Sequence, residues 1–163
     1  MTTRRSLSWV IPGTPADILR RLQDPEVARR RAQSEPSLPA RVTELSTGPD
    51  VALVYEVSAQ LPDSWIPAPA VAHLRTRPGI TRRETWRLDG DAQAEVDFVL
   101  DAIPATRLHG AAALRARDEQ SSELRYDLTL AVTVPLLGRG IEAALIAKIS
   151  AAFDREAAVI AGA

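Results

Sequence analysis

Alternation of apolar and polar residues with period two, kept up through several stretches and then replaced by a single 3.6-residue period, is the feature that most restricts this chain. Ala94, Val96, Phe98 and Leu100 alternate with Glu95, Asp97, Val99 and Asp101. Leu108, Gly110, Ala112, Leu114 and Ala116 alternate with Arg107, His109, Ala111, Ala113, Arg115 and Arg117. Leu124, Tyr126, Leu128, Leu130, Val132 and Val134 face away from Arg125, Asp127, Thr129 and Thr133. Each stretch buries one face and wets the other, as strands of an antiparallel sheet do. Residues 41–47, 51–60 and 80–88 add three more strands, the last closed by the hairpin signal Asp89-Gly90-Asp91. Residues 6–11 make a first strand that ends at Pro12-Gly13.

Helical signals flank this run. Thr14 is placed to cap, Pro15 takes the first helical position, and Asp17 sits three residues after the cap, which together satisfy donors a helix start leaves unpaired. Ile18, Leu19 and Leu22 form the apolar side, and Asp24-Pro25-Glu26 repeats the device for a second short helix over 26–32. Residues 61–79, with Pro62, Pro67, Pro69 and Pro78, read as a loop or broken short helix. Over 139–161, Ile141, Leu145, Ile149, Ala152, Phe153 and Ile160 share one helical face, and Glu142, Lys148 and Arg155 belong to the other flank. At ~1.5 Å per residue this helix is about 34 Å long, enough to cross a curved sheet.

A seven-stranded sheet with one apolar face needs a cover, and only the long helix is large enough to supply it. The expectation is an α+β helix-grip: a curved seven-stranded antiparallel sheet around a long C-terminal helix, with two short helices after strand 1, as a single domain over 1–163. The segments Ile11-Pro12-Gly13-Thr14-Pro15-Ala16-Asp17, Leu22-Gln23-Asp24-Pro25, Glu84-Thr85-Trp86 and Val132-Thr133-Val134-Pro135-Leu136-Leu137-Gly138, leading into Ile141-Glu142, carry a resemblance to a known superfamily. The chain resembles the START-like, polyketide cyclase and pollen-allergen-like (SRPBCC) superfamily over nearly its full length. More narrowly, it resembles an uncharacterised family of such domains from high-GC bacteria. That resemblance implies the fold and an internal apolar cavity; it implies no reaction, since the superfamily includes carriers, receptors, cyclases and hydrolases.

Composition removes several classes of function. With 20 basic against 21 acidic side chains and a net charge of -1, the chain has no general attraction for nucleic acid or anionic membranes. Cysteine is absent, which excludes disulfides, thiolate nucleophiles and Cys-based zinc sites. All basic residues but Lys148 are arginines, and Arg4-Arg5, Arg20-Arg21, Arg82-Arg83 and Arg29-Arg30-Arg31 are spread along the chain without forming a basic arm. Thr3-Arg4-Arg5-Ser6-Leu7 looks superficially like an export signal, but Pro12-Gly13 stops the apolar stretch behind it too early. No run approaches the ~18 apolar residues of a membrane span. A cytoplasmic protein without integral membrane association is expected; its oligomeric state is open.

Ile80, Trp86 and Leu88 share parity with Arg82 and Glu84. On an unbroken strand the latter two point into the hollow as a polar end wall that orients a ligand head group; on a bulge or at the sheet edge both are wet. A buried carboxylate needs a partner or it protonates, and Arg82 is on the same face. Tyr55, Trp86, Phe98 and Tyr126 are on inward parities, and Leu145 and Ile149 face them from the helix. These eight residues are the candidate ligand-binding set. Gly110, Ala112 and Ala116 beneath the helix mean either close packing or open space. His109 has the parity of Arg107 and faces solvent, while His73 lies in the Pro-rich segment beside the pocket mouth. Neither is in a metal-binding spacing, and no G-x-S-x-G elbow or complete phosphate-binding fingerprint occurs. No metal, cofactor or catalytic residue is assigned. The reading that follows is a binding or carrier module for a hydrophobic small molecule (lipid, polyketide or isoprenoid-like). A cyclase or hydrolase using Glu84, Tyr55, Tyr126 or His73, and a ligandless interaction domain, are the alternatives.

Overall fold

The computed structural model describes residues 2–66, 68–72, 74–103, 106–133 and 138–162. Strand β1 (Thr2–Pro12) leads into α1 (Pro15–Leu22) and α2 (Pro25–Ala32). Then come β2 (Arg41–Ser46), β3 (Leu53–Gln60), a 3-10 turn (Asp63–Trp65) and the four-residue α3 (Ala68–Val71). β4 (Gly79–Asp89), β5 (Asp91–Leu100), β6 (Thr106–Ala116) and β7 (Ser121–Val132) follow, and α4 (Gly138–Gly162) is the last element. The strands form one antiparallel sheet in the order β1-β7-β6-β5-β4-β3-β2. This is the α+β helix-grip the periodicities require.

Local chemistry sets the short elements. Thr14 Oγ1 accepts from the Asp17 amide at 3.2 Å, and Asp17 accepts from the Thr14 amide at 3.3 Å, closing a capping box with Pro15 behind it. Asp24 caps α2 by accepting from the Glu26 amide at 2.8 Å. Gly90 takes φ 72° between β4 and β5, a left-handed conformation that costs glycine little.

Three boundaries or orientations differ from expectation. β1 starts at Thr2 rather than residue 6, because Thr2–Arg5 pair with Ala131–Leu128 of β7 although their side chains do not alternate; ladder pairing holds them where local pattern is silent. Ala116 is exposed at the end of its strand rather than beneath the helix. Glu142 is not on a solvent flank. It is 2% exposed, its Oε1 accepting from the Val132 amide at 2.9 Å and its Oε2 from the Thr3 hydroxyl at 2.7 Å. Residues 134–137 of the strand-to-helix joint and His73 lie outside the described residues.

The core lies between sheet and α4, where Ile141, Leu145, Ile149, Phe153 and Ile160 meet the inner face of the strands. A side chain at Gly110 would collide with the Asp127 carbonyl and Leu128, so its smallness serves close packing. α4 packs chiefly on β1, β7 and α2, leaving the β3–β5 side less covered. No helix among the described residues is long and apolar enough to cross a membrane.

Candidate functional site

Register builds the site. On the inner face Tyr55 of β3, Glu84 of β4 and Val96 of β5 stand in one row, and Val57, Arg82 and Phe98 in the next. The β4 strand passes through without a bulge, so Arg82 and Glu84 both point inward and are buried, at 6% and 0% exposure. Two residues from other elements complete the cluster: Arg31 from the last turn of α2 and Glu156 from α4, also buried.

The four form a neutral ionic tetrad. Arg31 Nη2 lies 3.2 Å from both Glu84 oxygens and 3.3 Å from Glu156 Oε2. Arg82 Nη2 donates to both Glu156 oxygens at 2.8 Å. Glu84 also accepts from Trp86 Nε1 at 2.9 Å and from the Tyr126 hydroxyl at 3.0 Å. Aromatic faces cover the cations: the Arg31 guanidinium lies 4.1 Å from the Tyr55 ring centroid, and that of Arg82 4.7 Å from Phe153. Burial alone pushes the Glu84 carboxyl up, but Arg31 and Arg82, with the Trp86 hydrogen bond, outweigh it and hold the group below its ordinary value. Burial pushes the Tyr55 hydroxyl up to about 12 and the Tyr126 hydroxyl well above its ordinary value.

The carboxylates are better served than the cations. Arg31 Nε, Arg31 Nη1 and Arg82 Nε are buried and meet no hydrogen-bond acceptor among the described residues. Arg82 Nε is 3.4 Å from Glu84 Oε1, an ion-pair distance, but it makes no hydrogen bond there. Buried donors left in this way are costly.

Beside the tetrad is a cavity of about 60 Å³. Leu38, Val57, Ile80, Phe98, Ile149 and Phe153 give it apolar walls, and Arg31, Arg82 and Glu156 form its polar end. Polar contacts brace one side of it. Trp65 Nε1 donates to Ser37 Oγ at 3.0 Å, Ser37 donates to Glu35, and Arg155 of α4 pairs with the other Glu35 oxygen.

Of the residues expected from sequence, Arg82, Phe98 and Ile149 line this cavity. Tyr55, Glu84, Trp86 and Tyr126 are packed in or behind the tetrad, and Leu145 is buried elsewhere along α4. His109 is exposed on the outer face. Sequence reading missed Arg31 and Glu156. The signal was there: Arg31 shares a helical face with the buried Val27 and Ala28, and Glu156 falls three residues after Phe153 on the apolar stripe of α4.

The model of a family described as "Protein of unknown function (DUF2505)" matches residues 6–162. Comparison with curated protein sequences gives no match. Among solved structures, the chain is similar to the Zhui aromatase/cyclase from Streptomyces sp. R1128, at 11% identity and TM-score 0.59 over 99% of this chain and 93% of that one. It is similar to the lipid transfer and protein localization domain of human StarD13, at 14% identity and TM-score 0.53 over 98% and 75%. A START superfamily protein from Mycobacterium smegmatis matches at 10% identity and TM-score 0.51 over 93% and 94%. At such identities the likeness is one of fold, and that fold is START-like.

Proposed function

We propose that this chain, which belongs to the DUF2505 family, binds a small, largely apolar molecule between the sheet and α4, its polar end towards Arg82 and Glu156. One observation carries this reading: a largely apolar cavity between sheet and α4 ends on the buried charged side chains of Arg82 and Glu156, with Arg31 behind them. Ligand sites commonly have this make-up, apolar lining with a few placed polar groups. The lipid transfer and protein localization domain of StarD13, similar in fold, agrees with a binding role.

Volume limits what enters. About 60 Å³ is well below the roughly 300–1,000 Å³ of pockets that enclose drug-sized ligands. A lipid- or polyketide-sized occupant therefore requires the rim at Ser37 and Trp65 to part. A binding role is favoured over acid–base catalysis by the proton affinities: Glu84 is held low while Tyr55 and Tyr126 are pushed high. Efficient general acids and bases have pKa values near the working pH.

The same small volume favours a second reading, a ligandless interaction domain. Native mass spectrometry of the protein purified from its own cells tests the two. The binding reading expects a discrete adduct that extracts into organic solvent. Bare polypeptide, with no uptake of apolar probes, overturns it in favour of the ligandless domain.

A further inference from the structure

Glu35, Glu84 and Glu156 are buried at the tetrad or on the cavity beside it, and they are loaded unequally. An ionised carboxylate offers about four acceptor sites. Glu84 uses them all: Arg31 Nη2 reaches both oxygens, the Tyr126 hydroxyl donates to Oε1, and Trp86 Nε1 donates to Oε2. Its side chain is 0% accessible, so nothing further reaches it. Glu156 is different. Its Oε2 accepts from Arg31 and Arg82, but its Oε1 accepts only from Arg82 Nη2 among the described residues. Glu35 has the same imbalance: Oε1 takes the Ser37 amide and hydroxyl, while Oε2 meets only Arg155 among the described residues. Both Glu35 and Glu156 line the cavity, and each keeps 11% of its side chain accessible. The full carboxylate is sealed, and the two with a site to spare are the ones a guest can touch. Charge there is already balanced. Arg31 and Arg82 offset Glu84 and Glu156, and Arg155 offsets Glu35, so a charged guest adds an uncompensated charge to a buried place.

We infer that the ligand donates an uncharged hydroxyl, that of a phenol or an alcohol, to Glu156 Oε1 from an otherwise apolar body. This rests on the binding reading above and narrows it to a chemical class. A hydroxyl supplies one proton and brings no charge. Its bond to an ionised oxygen is of the charge-assisted kind, about twice as strong as one between neutral groups. The body behind it lies against Ile80, Phe98, Ile149 and Phe153. Arg31 and Arg82 hold Glu156 in place from the far side, through Oε2 and through both oxygens respectively. Glu35 keeps the rest of the polar lining in the same sense. Burial pushes its carboxyl up, but the Ser37 hydroxyl and amide and then Arg155 outweigh it and hold the group below its ordinary value, so it too is an acceptor.

Four probes on one ring separate the possibilities: phenol, toluene, anisole and benzylammonium, titrated against the whole protein by ligand-detected NMR. Phenol and toluene are nearly the same shape, anisole has an oxygen that accepts but cannot donate, and benzylammonium donates with a charge. An apolar cavity without an acceptor ranks toluene above phenol, because burying an unpaired hydroxyl is costly. A bond to Glu156 reverses that order. Phenol then binds about tenfold more tightly than toluene or anisole, and benzylammonium binds more weakly than phenol. In Glu156→Gln the amide oxygen is taken by the arginines and the amide nitrogen is left to the cavity, so the preference for phenol over toluene falls to within about twofold. An unchanged preference in that variant overturns Glu156 as the acceptor. Should Glu156→Gln fail to fold, the wild-type order of phenol and anisole decides. Equal binding of those two, or a ranking led by toluene, overturns the hydroxyl assignment and leaves apolar binding intact, and a ranking led by benzylammonium overturns the uncharged head. No binding by any probe, together with an adduct-free native mass, overturns the binding reading itself.

Discussion

α4 buries one glutamate near each end, and the two are held in different ways. Glu142, in the first turns, receives a backbone amide and a hydroxyl, both neutral, and ties the helix start to β7 and β1. Glu156, four turns on, meets two guanidiniums and ties α4 to α2 and β4. Glu142 closes its joint with its partners satisfied. The Glu156 end contains buried donors that meet no acceptor among the described residues, and a cavity nearby. A buried acid held by neutral dipoles is a fastener. One held by guanidiniums in an ionic cluster carries a desolvation cost that its pairing has to offset.

Breaking the ionic end has the largest expected effect. Arg31→Met leaves two buried carboxylates with one guanidinium and lowers unfolding free energy by about 3–5 kcal/mol, measured by urea denaturation. A loss below about 1 kcal/mol would mean that water already serves the tetrad. Next, the two glutamates are compared directly. Glu156→Gln removes charge-assisted bonds and costs about 1.5–3 kcal/mol, whereas Glu142→Gln keeps an acceptor for Val132 and costs about 0.5–1.5 kcal/mol. Equal losses would mean that both glutamates fasten α4 in the same way.

Acid sharpens the contrast further. The Thr3 hydroxyl and then the Val132 amide hold the Glu142 carboxyl below its ordinary value, and the guanidiniums do the same for Glu84 against its burial. A folded-state pKa below the unfolded one contributes stability that is complete above about pH 4.3 and is lost as pH falls through the folded value. Melting temperatures from pH 7 to pH 3 should therefore decline below about pH 4.5, and more gently in Glu142→Gln. An unchanged acid slope in that variant would show that Glu142 titrates alike folded and unfolded. The smallest effect is at the rim. Trp65→Phe deletes the bond to Ser37, costs about 1 kcal/mol or less, and speeds amide exchange in the 34–40 segment; unchanged exchange there would remove the rim from the opening route.

Much of the fold is legible in one dimension. Leu124 to Val132 alternate because one sheet face is wet, Thr14-Pro15-Ala16-Asp17 carries its own cap, and Gly90 marks its own turn. The site is legible only in part. Strand parity aims Arg82 and Glu84 inward, but the bond between Glu84 and Arg31 spans 53 residues and that between Arg82 and Glu156 spans 74. The arginine run at 29–31 reads as solvated surface until the packing of α2 on α4 turns its last member inward.

Local pattern suffices for which segments form strands and helices and for most of their inward faces, because periodicity, caps and turn preferences act over a few neighbours; the pairing that extends β1 to Thr2 and the burial of Arg31 and Glu142 lie beyond it. Packing across the chain is what brings two arginines and two glutamates into one buried place, makes Glu142 a fastener, and leaves a cavity of about 60 Å³ beside Phe98. Charge pairing and free volume arise from how distant side chains pack against one another, and no local pattern encodes the distance between them.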